Sequence, residues 1–135
     1  MKNAKIIKGC GEKAVRALWD CFYRLRWDDA EQLLAKNFVA LWPQSAEKIQ
    51  GARNFIELNR NYPGKHRITV KNITTIGDKV ISEVFIKSVM PGGKRLTLFA
   101  VSFFTIQNGK IASAKEYWAD TCPAPAWRKQ WVKKM

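Results

Sequence analysis

NFVALWPQSAEKIQGARNF, residues 37–55, passes from a short apolar strand through a polar turn into the start of a helix. Phe38–Trp42 is typical of a strand, and Pro43 ends it because proline has no N–H to donate to a neighbouring strand. From Gly51 a helical pattern runs to Tyr62, where Pro63-Gly64 closes it. This stretch fixes the middle of the chain, and the elements on either side follow from it.

Two helices are predicted before the stretch. Between Glu12 and Arg26, apolar residues recur at the spacing of one helical face, which indicates an amphipathic helix: Val15, Leu18, Trp19, Phe22 and Tyr23. The pattern restarts at Trp27 and predicts a short second helix that reaches Leu34. Asp28 is suited to cap this helix, because a carboxylate accepts from the free N–H groups of a first turn.

Four strands are predicted after the third helix. Turn signals separate four segments rich in β-forming residues: His66–Ile76, Lys79–Val89, Arg95–Ile106 and Lys110–Trp118. Consecutive hairpins indicate an antiparallel meander. Large apolar residues occupy both parities of these strands, so we expect helices to cover one face of the sheet and a second copy of the chain to cover the other. We therefore expect the partner to be a second copy of the chain, in a homodimer formed through the sheet.

Length and composition indicate one domain, residues 1–135, with 47% hydrophobic residues. No run approaches the roughly 20 apolar residues of a membrane span, and the basic start lacks a signal-peptide core, so we expect a cytoplasmic protein without a membrane partner. Three cysteines without a CxxC spacing favour free thiols.

The net charge is +13, from 24 Lys and Arg against 11 Asp and Glu. The basic residues are spread from Lys2 to Lys134, with the densest group at 128–134, and no nucleic-acid motif accompanies them. This favours a solvated basic surface over specific nucleic-acid binding and leaves anionic small ligands open.

Three motifs suggest a family. They are Trp42-Pro43-Gln44-Ser45, Asn59-Arg60-Asn61-Tyr62-Pro63-Gly64, and Glu116-Tyr117-Trp118-Ala119-Asp120 with the tract 123–128 that follows. Together with the element order, they resemble an uncharacterised subgroup of the SnoaL-like, polyketide cyclase-like proteins of the nuclear transport factor 2-like superfamily, from about Val15 to about Trp131. The resemblance implies an α+β, cystatin-like cone, in which three N-terminal helices pack on a curved, mostly antiparallel sheet. Because relatives include isomerases, cyclases, dehydratases, epoxide hydrolases and binding modules, it does not fix an activity.

Enzymes of this superfamily usually act through a carboxylate that projects into the cone, and three acids are the catalytic candidates here. Glu83 enters the cone if the face it shares with Ile81 and Phe85 is internal, or else pairs with a basic residue across the strand. Either Glu116 or Tyr117 should face the pocket, but parity does not decide which. Asp120 occupies the region of the acid/base aspartate of the cyclases, or caps the turn that follows.

The resemblance also implies a ligand-binding pocket, and the residues expected to line it are aromatic or polar: Trp19, Tyr23, Trp42, Gln44, Glu47, Tyr62 and Tyr117. Amphipathic rings of this kind favour an apolar or aromatic small molecule. Several members carry an acidic residue where this chain has Gln44-Ser45, which weakens a cyclase assignment.

The single histidine, His66, is expected at the surface, since a catalytic His–Asp pair like that of the dehydratases would require it to point inward. One histidine without clustered Cys or carboxylates predicts no metal site, and no cofactor is expected. Three functions follow as hypotheses: a small-molecule-binding protein that is a cofactor-independent lyase or isomerase, a non-catalytic binding or dimeric interaction module, and a basic polyanion-binding protein.

Overall fold

The computed structural model describes residues 9–135, which form three helices and a six-stranded sheet. The helices are α1 (Cys10–Tyr23), α2 (Trp27–Leu33) and α3 (Ala52–Arg60). The strands are β1 (Leu34–Trp42), β2 (Glu47–Gln50), β3 (Lys65–Ile76), β4 (Lys79–Val89), β5 (Arg95–Gln107) and β6 (Lys110–Asp120), and a single 3-10 turn follows at Ala126–Arg128. The predicted α+β class, with three helices on a curved sheet, is confirmed. No helix in this range has the length and hydrophobicity needed to cross a membrane.

The strand order is β2-β1-β6-β5-β4-β3. Strands β3 to β6 form the predicted antiparallel meander, and β1 joins it by pairing parallel to β6. Strand β2 was not predicted from the sequence, because it lies inside the segment interpreted as a polar turn. Its antiparallel pairing with β1 and the burial of Ile49 create this strand, and both are long-range effects that a polar local sequence does not reveal.

The predicted cap of α2 is wrong. The helix begins at Trp27, with Arg26 in the cap position, and the Arg26 side chain makes no cap hydrogen bond. The Arg26 carbonyl accepts from the N–H of Ala30 at 3.0 Å, so Asp28 already lies within the first turn. Its carboxylate instead lies 3.8 Å from the guanidinium of Arg60 on α3.

Alternating side chains give the sheet two different faces. The inner face packs against α1 and contains fully buried residues of the central strands, among them Val80, Ser82, Val84, Ser102 and Phe104. The outer face contains the other parity, including Phe85, Phe99, Phe103 and Tyr117, and no element of the described chain covers it. Register shifts after Val70 and after Thr105 bend the strands, which makes the sheet curl around its inner face.

Gly64 gives a test of the turn between α3 and β3. Its φ is +94°, and a Cβ there would lie 2.7 Å from the carbonyl oxygen of Val89. Gly77 also has a positive φ, +59°, but a Cβ there meets nothing within 4 Å. We expect Gly77→Ala to cost about 1 kcal/mol of unfolding free energy, and Gly64→Ala to cost about 1–3 kcal/mol more because backbone must move. Urea unfolding measures both, and equal losses would show that the close approach is unimportant.

Candidate functional site

A cavity of about 470 Å³ lies between the helices and the inner face of the sheet. Its size falls in the range of small-molecule sites, about 300–1,000 Å³. Its wall is mainly apolar and contains seven aromatic side chains: Trp19, Phe22, Tyr23, Trp27, Trp42, Tyr62 and Trp118. Its polar lining is small and consists of Asn59, Arg60, Lys65, His66, Ser88 and Glu116. Within the described chain, Glu116 is thus the one acidic side chain of this wall.

Glu116 lies on the inner face of β6 and is only 8% exposed. The indole Nε1 of Trp42 donates to its Oε1 at 3.0 Å, and the hydroxyl of Ser102 donates to its Oε2 at 2.5 Å. None of the ion pairs found in residues 9–135 involves Glu116. The cavity therefore contains a carboxyl group that is oriented by two neutral donors and has no basic partner among residues 9–135.

Burial raises the pKa of the Glu116 carboxyl, because the charged form loses its hydration. The hydrogen bonds from Ser102 and Trp42 stabilise the charged form and oppose this effect, but burial outweighs them. A carboxyl group with a raised pKa exchanges protons closer to neutral pH than an exposed one, which is the property required of a general acid or base.

The raised pKa also predicts a pH dependence of stability. Suppose that the pKa of a carboxyl group is higher in the folded state than in the unfolded state. The group then contributes its full stability to the fold below its unfolded pKa, which is about 4.3 for glutamate. This contribution is lost as the pH rises through the folded-state pKa. We therefore expect Glu116→Gln to gain stability relative to wild type across that window, by about 1.4 kcal/mol per pH unit. Urea unfolding between pH 4 and 8 measures the difference, with Glu83→Gln on the outer face as control. If the difference in unfolding free energy between Glu116→Gln and wild type does not change with pH, the carboxyl group of Glu116 is not buried and unpaired.

The turn after β1 holds this arrangement in place. Trp42 is the last residue of β1, and its ring packs edge-on against Trp118 at a centroid distance of 5.5 Å. The side-chain oxygen of Gln44 accepts from the backbone N–H of Trp118 at 3.1 Å, which joins the turn to β6. The motif around Pro43 thus fixes the indole that donates to Glu116.

The other two catalytic candidates lie outside the cavity. Glu83 is on the outer face of β4, level with Asn72 of β3 and Val101 of β5, so the face it shares with Ile81 and Phe85 is not the internal one. Asp120 is exposed at the end of β6.

The ligand-binding candidates divide into two groups. Trp19, Tyr23, Trp42 and Tyr62 line the cavity, whereas Gln44, Glu47 and Tyr117 are not part of its wall. Gln44 and Glu47 are exposed at the turn and at the start of β2, because the β1–β2 hairpin carries them outward. Tyr117 points to the outer face, where its ring lies 6.4 Å from that of Phe103. Tyr23, expected on the buried face of α1, is 41% exposed because α1 ends there.

The expected surface position of His66 is wrong. The residue lies on the inner face of β3 and lines the cavity. Its Nδ1 is 2.7 Å from the hydroxyl of Ser88, and its ring packs edge-on against Tyr62. Its Nε2 is buried and has no hydrogen-bond partner in the described structure. A buried polar atom left unpaired costs about 1–3 kcal/mol. Its parity with Ile68 and Val70 was the signal in the sequence that could have placed it inside.

Three serines on the inner face were also missed as site residues. Ser102 donates to Glu116, Ser88 contacts His66, and Ser82 accepts from the Nε1 of Trp19 at 3.0 Å. Each is buried, and each hydroxyl satisfies a polar group of a larger side chain. The hydrogen bond to Ser82 occupies the polar tip of Trp19, so that this residue presents apolar surface to the cavity.

The described residues contain no group of three or more His, Cys, Asp and Glu side chains that could hold a metal ion. Cys10, Cys21 and Cys122 are free thiols.

A cone of three helices on a curved sheet, with a pocket on the sheet's concave face, is the architecture of the nuclear transport factor 2-like class. The model of the SnoaL-like domain matches residues 15–114, and the chain belongs to this family. The resemblance found in the sequence is thereby confirmed.

Solved structures share the fold. A nuclear transport factor 2-like protein of unknown function from Burkholderia xenovorans LB400 is 28% identical, with a TM-score of 0.79 over 95% of this chain and 97% of that one. A protein from Kribbella flavida DSM 17836, provisionally assigned as a ketosteroid isomerase, is 21% identical, with a TM-score of 0.81 over 93% and 90%. An LEH-like epoxide hydrolase from M. tuberculosis is 19% identical, with a TM-score of 0.72 over 82% and 83%. No curated protein matches the chain.

Proposed function

We propose that the protein binds an apolar or aromatic small molecule in the cavity, and that Glu116 transfers a proton to or from it, as in a cofactor-independent isomerase or lyase. The observation that carries the proposal is the buried carboxyl group of Glu116, which lies in a cavity lined by aromatic rings and forms no ion pair within the described part of the chain. The proposal is supported by two proteins of the same fold, one provisionally named a ketosteroid isomerase and one named an epoxide hydrolase.

The geometry leaves Glu116 free to react. A carboxylate has about four lone-pair sites, and Trp42 and Ser102 occupy two of them. The two donors hold the carboxylate in one orientation, which is what a proton transfer between fixed groups requires. Trp19 and Trp42 would supply the apolar contacts of the ligand, and the hydroxyl groups of Tyr23 and Tyr62 would bind its oxygens.

Hydrogen exchange tests the proposal without knowledge of the natural substrate. An aromatic ketone with acidic α-hydrogens, 2-tetralone, is incubated with the protein in D₂O, and the loss of its α-¹H signal is followed by NMR. We expect exchange well above the buffer background, because a positioned base removes an α-proton reversibly.

A non-catalytic binding protein is the second candidate. Both oxygens of Glu116 already accept a hydrogen bond, which is how a purely structural buried carboxyl would be satisfied. In that case 2-tetralone would bind without exchange. The polyanion-binding alternative predicts a filled cone, and the open cavity argues against it.

We also propose that two copies associate through the outer face. Three large side chains of this face are exposed by about two fifths, Phe99 by 39%, Phe103 by 44% and Tyr117 by 39%. The rings of Phe85 and Phe99 pack against each other at a centroid distance of 4.8 Å and a tilt of 48°, so the apolar surface is continuous across β4 and β5. Contiguous exposed surface of this kind usually marks an interface. A cytoplasmic location is part of the same proposal, supported by the three free thiols.

A further inference from the structure

The charged groups of the cavity wall are separated by sign. Glu116 lies on β6, whereas the basic residues of the wall lie at the end of α3 and the start of β3: Arg60, Lys65 and His66. Strands β5 and β4 separate β6 from β3, a distance of roughly 14 Å along the sheet. Glu116 is level with Ser102 and thus with Ser82 of β4, whereas His66 is level with Ser88, further along the same strand. The cavity therefore has an acidic end and a basic end.

His66 presents an unused hydrogen-bonding atom at the basic end. Its Nδ1 is engaged by the Ser88 hydroxyl, Tyr62 packs against its ring, and its Nε2 is buried without a partner in the described structure. When the hydroxyl donates to Nδ1, the ring proton resides on Nε2, which is then a hydrogen-bond donor without an acceptor among the described residues. A fixed ring whose outer nitrogen is unsatisfied is a site prepared for an acceptor atom.

The surrounding charge decides what kind of acceptor fits. The guanidinium of Arg60 lies 3.6 Å from Glu57 and 3.8 Å from Asp28, which offset its charge. None of the ion pairs found in residues 9–135 involves Lys65, which leaves its charge unbalanced at this end of the cavity. Anionic oxygens are favoured near such a charge, and a hydrogen bond to a charged acceptor is about twice as strong as a neutral one.

We propose that the natural ligand is an apolar acid whose carboxylate binds at His66 and Lys65, with its apolar body along the aromatic wall and its other end at Glu116. This inference rests on the proposed function, since it names the ligand class of the same cavity. His66 is then the residue that orients the ligand. The two ends lie on strands β3 and β6, so the ligand must have an extended apolar body between its carboxylate and its other end.

Calorimetric titration with a matched pair of probes tests the inference. The acid 2-naphthoate and its neutral amide 2-naphthamide share shape and apolar surface and differ in charge. At pH 7 and 0.15 M NaCl, we expect the wild-type protein to bind 2-naphthoate at least about tenfold more tightly than 2-naphthamide. The substitution His66→Ala should weaken the binding of 2-naphthoate by about 10- to 100-fold. It should weaken the binding of 2-naphthamide by less than about threefold.

Control variants separate this site from the general positive charge. Lys65→Gln should reduce the preference for the acid, whereas Lys115→Gln, which removes the same charge from an exposed position of β6 outside the cavity, should leave it unchanged. Ser88→Ala keeps the imidazole but releases its Nδ1, and should reduce the preference by a smaller factor. Binding of 2-naphthamide verifies that each variant is folded, and Ser88→Ala provides the test if His66→Ala does not fold.

Two results would overturn the inference while the proposed function stands. One is equal affinity of the two probes in wild type. The other is an acid preference that survives in both His66→Ala and Lys65→Gln, which would assign it to the net charge. Failure of both probes to bind, together with absence of 2-tetralone exchange, would instead reject the proposed function itself.

Discussion

Replacing Glu116 with glutamine is expected to lower the rate of 2-tetralone exchange by about 10²- to 10⁴-fold, the usual contribution of a general base. Glutamine keeps the shape of the site. Its carbonyl oxygen accepts from Trp42, and its amide donates to the hydroxyl of Ser102. The substitution thus removes the proton-accepting group with little change of packing, and binding of 2-naphthamide should stay within about threefold.

Matched controls come from the two carboxylates outside the cavity. Glu83→Gln and Asp120→Asn make the same chemical change on β4 and at the end of β6, and neither residue lines the cavity. Both variants should exchange 2-tetralone at close to the wild-type rate. A Glu116→Gln protein that retains the wild-type rate would show that Glu116 moves no proton, and the non-catalytic binding protein would then be the better description.

The second large effect concerns assembly. Wild type should scatter light as a particle of about 31 kDa, twice the chain mass of 15.5 kDa, if the outer face forms an interface of ordinary size. The double variant Phe99→Lys, Phe103→Lys should scatter as a single chain. It removes two exposed aromatic anchors, whose loss costs about 2 kcal/mol or more each at an interface, and it places unpaired charges there.

Trp127→Lys is the control for this experiment. Trp127 is 72% exposed in the 3-10 turn after β6, belongs to none of the six strands, and receives the same new charge. The particle formed by the Trp127→Lys variant should keep a mass of about 31 kDa, twice the 15.5 kDa of one chain. A wild-type particle of 15.5 kDa at micromolar concentration would reject the dimer.

The order of the main elements was predictable because periodicity is local. The apolar spacing from Val15 to Phe22 defines α1, and Gly or Pro turns delimit β3 to β6. The short strand β2 was not predictable, since it exists only through its pairing with β1.

From the sequence, the residues of the site could be assigned to one face of the sheet or the other, but the face that lies inside the molecule could not be identified. Alternation along β6 places Glu116 and Tyr117 on opposite sides, but it is the packing of α1 that makes one side internal. The same choice decides the position of Glu83, which lies outside, and of His66, which lies inside. The hydrogen bonds of Ser82, Ser88 and Ser102 depend on that choice as well, and no short sequence pattern marks them.

The position of β6 between β1 and β5 also determines when the molecule can finish folding. During synthesis the helices and the β1–β2 hairpin emerge first, and β3, β4 and β5 follow as a separate antiparallel unit. The two parts can be joined in one sheet only after residues 110–120 leave the ribosome, because β6 is the strand of residues 9–135 that pairs with both. Pairing at such sequence separation is slow. Strand β6 is synthesised after the other five strands of this sheet and also carries Glu116, so a chain that stops before residue 110 would lack both the carboxyl group and the strand that completes the sheet.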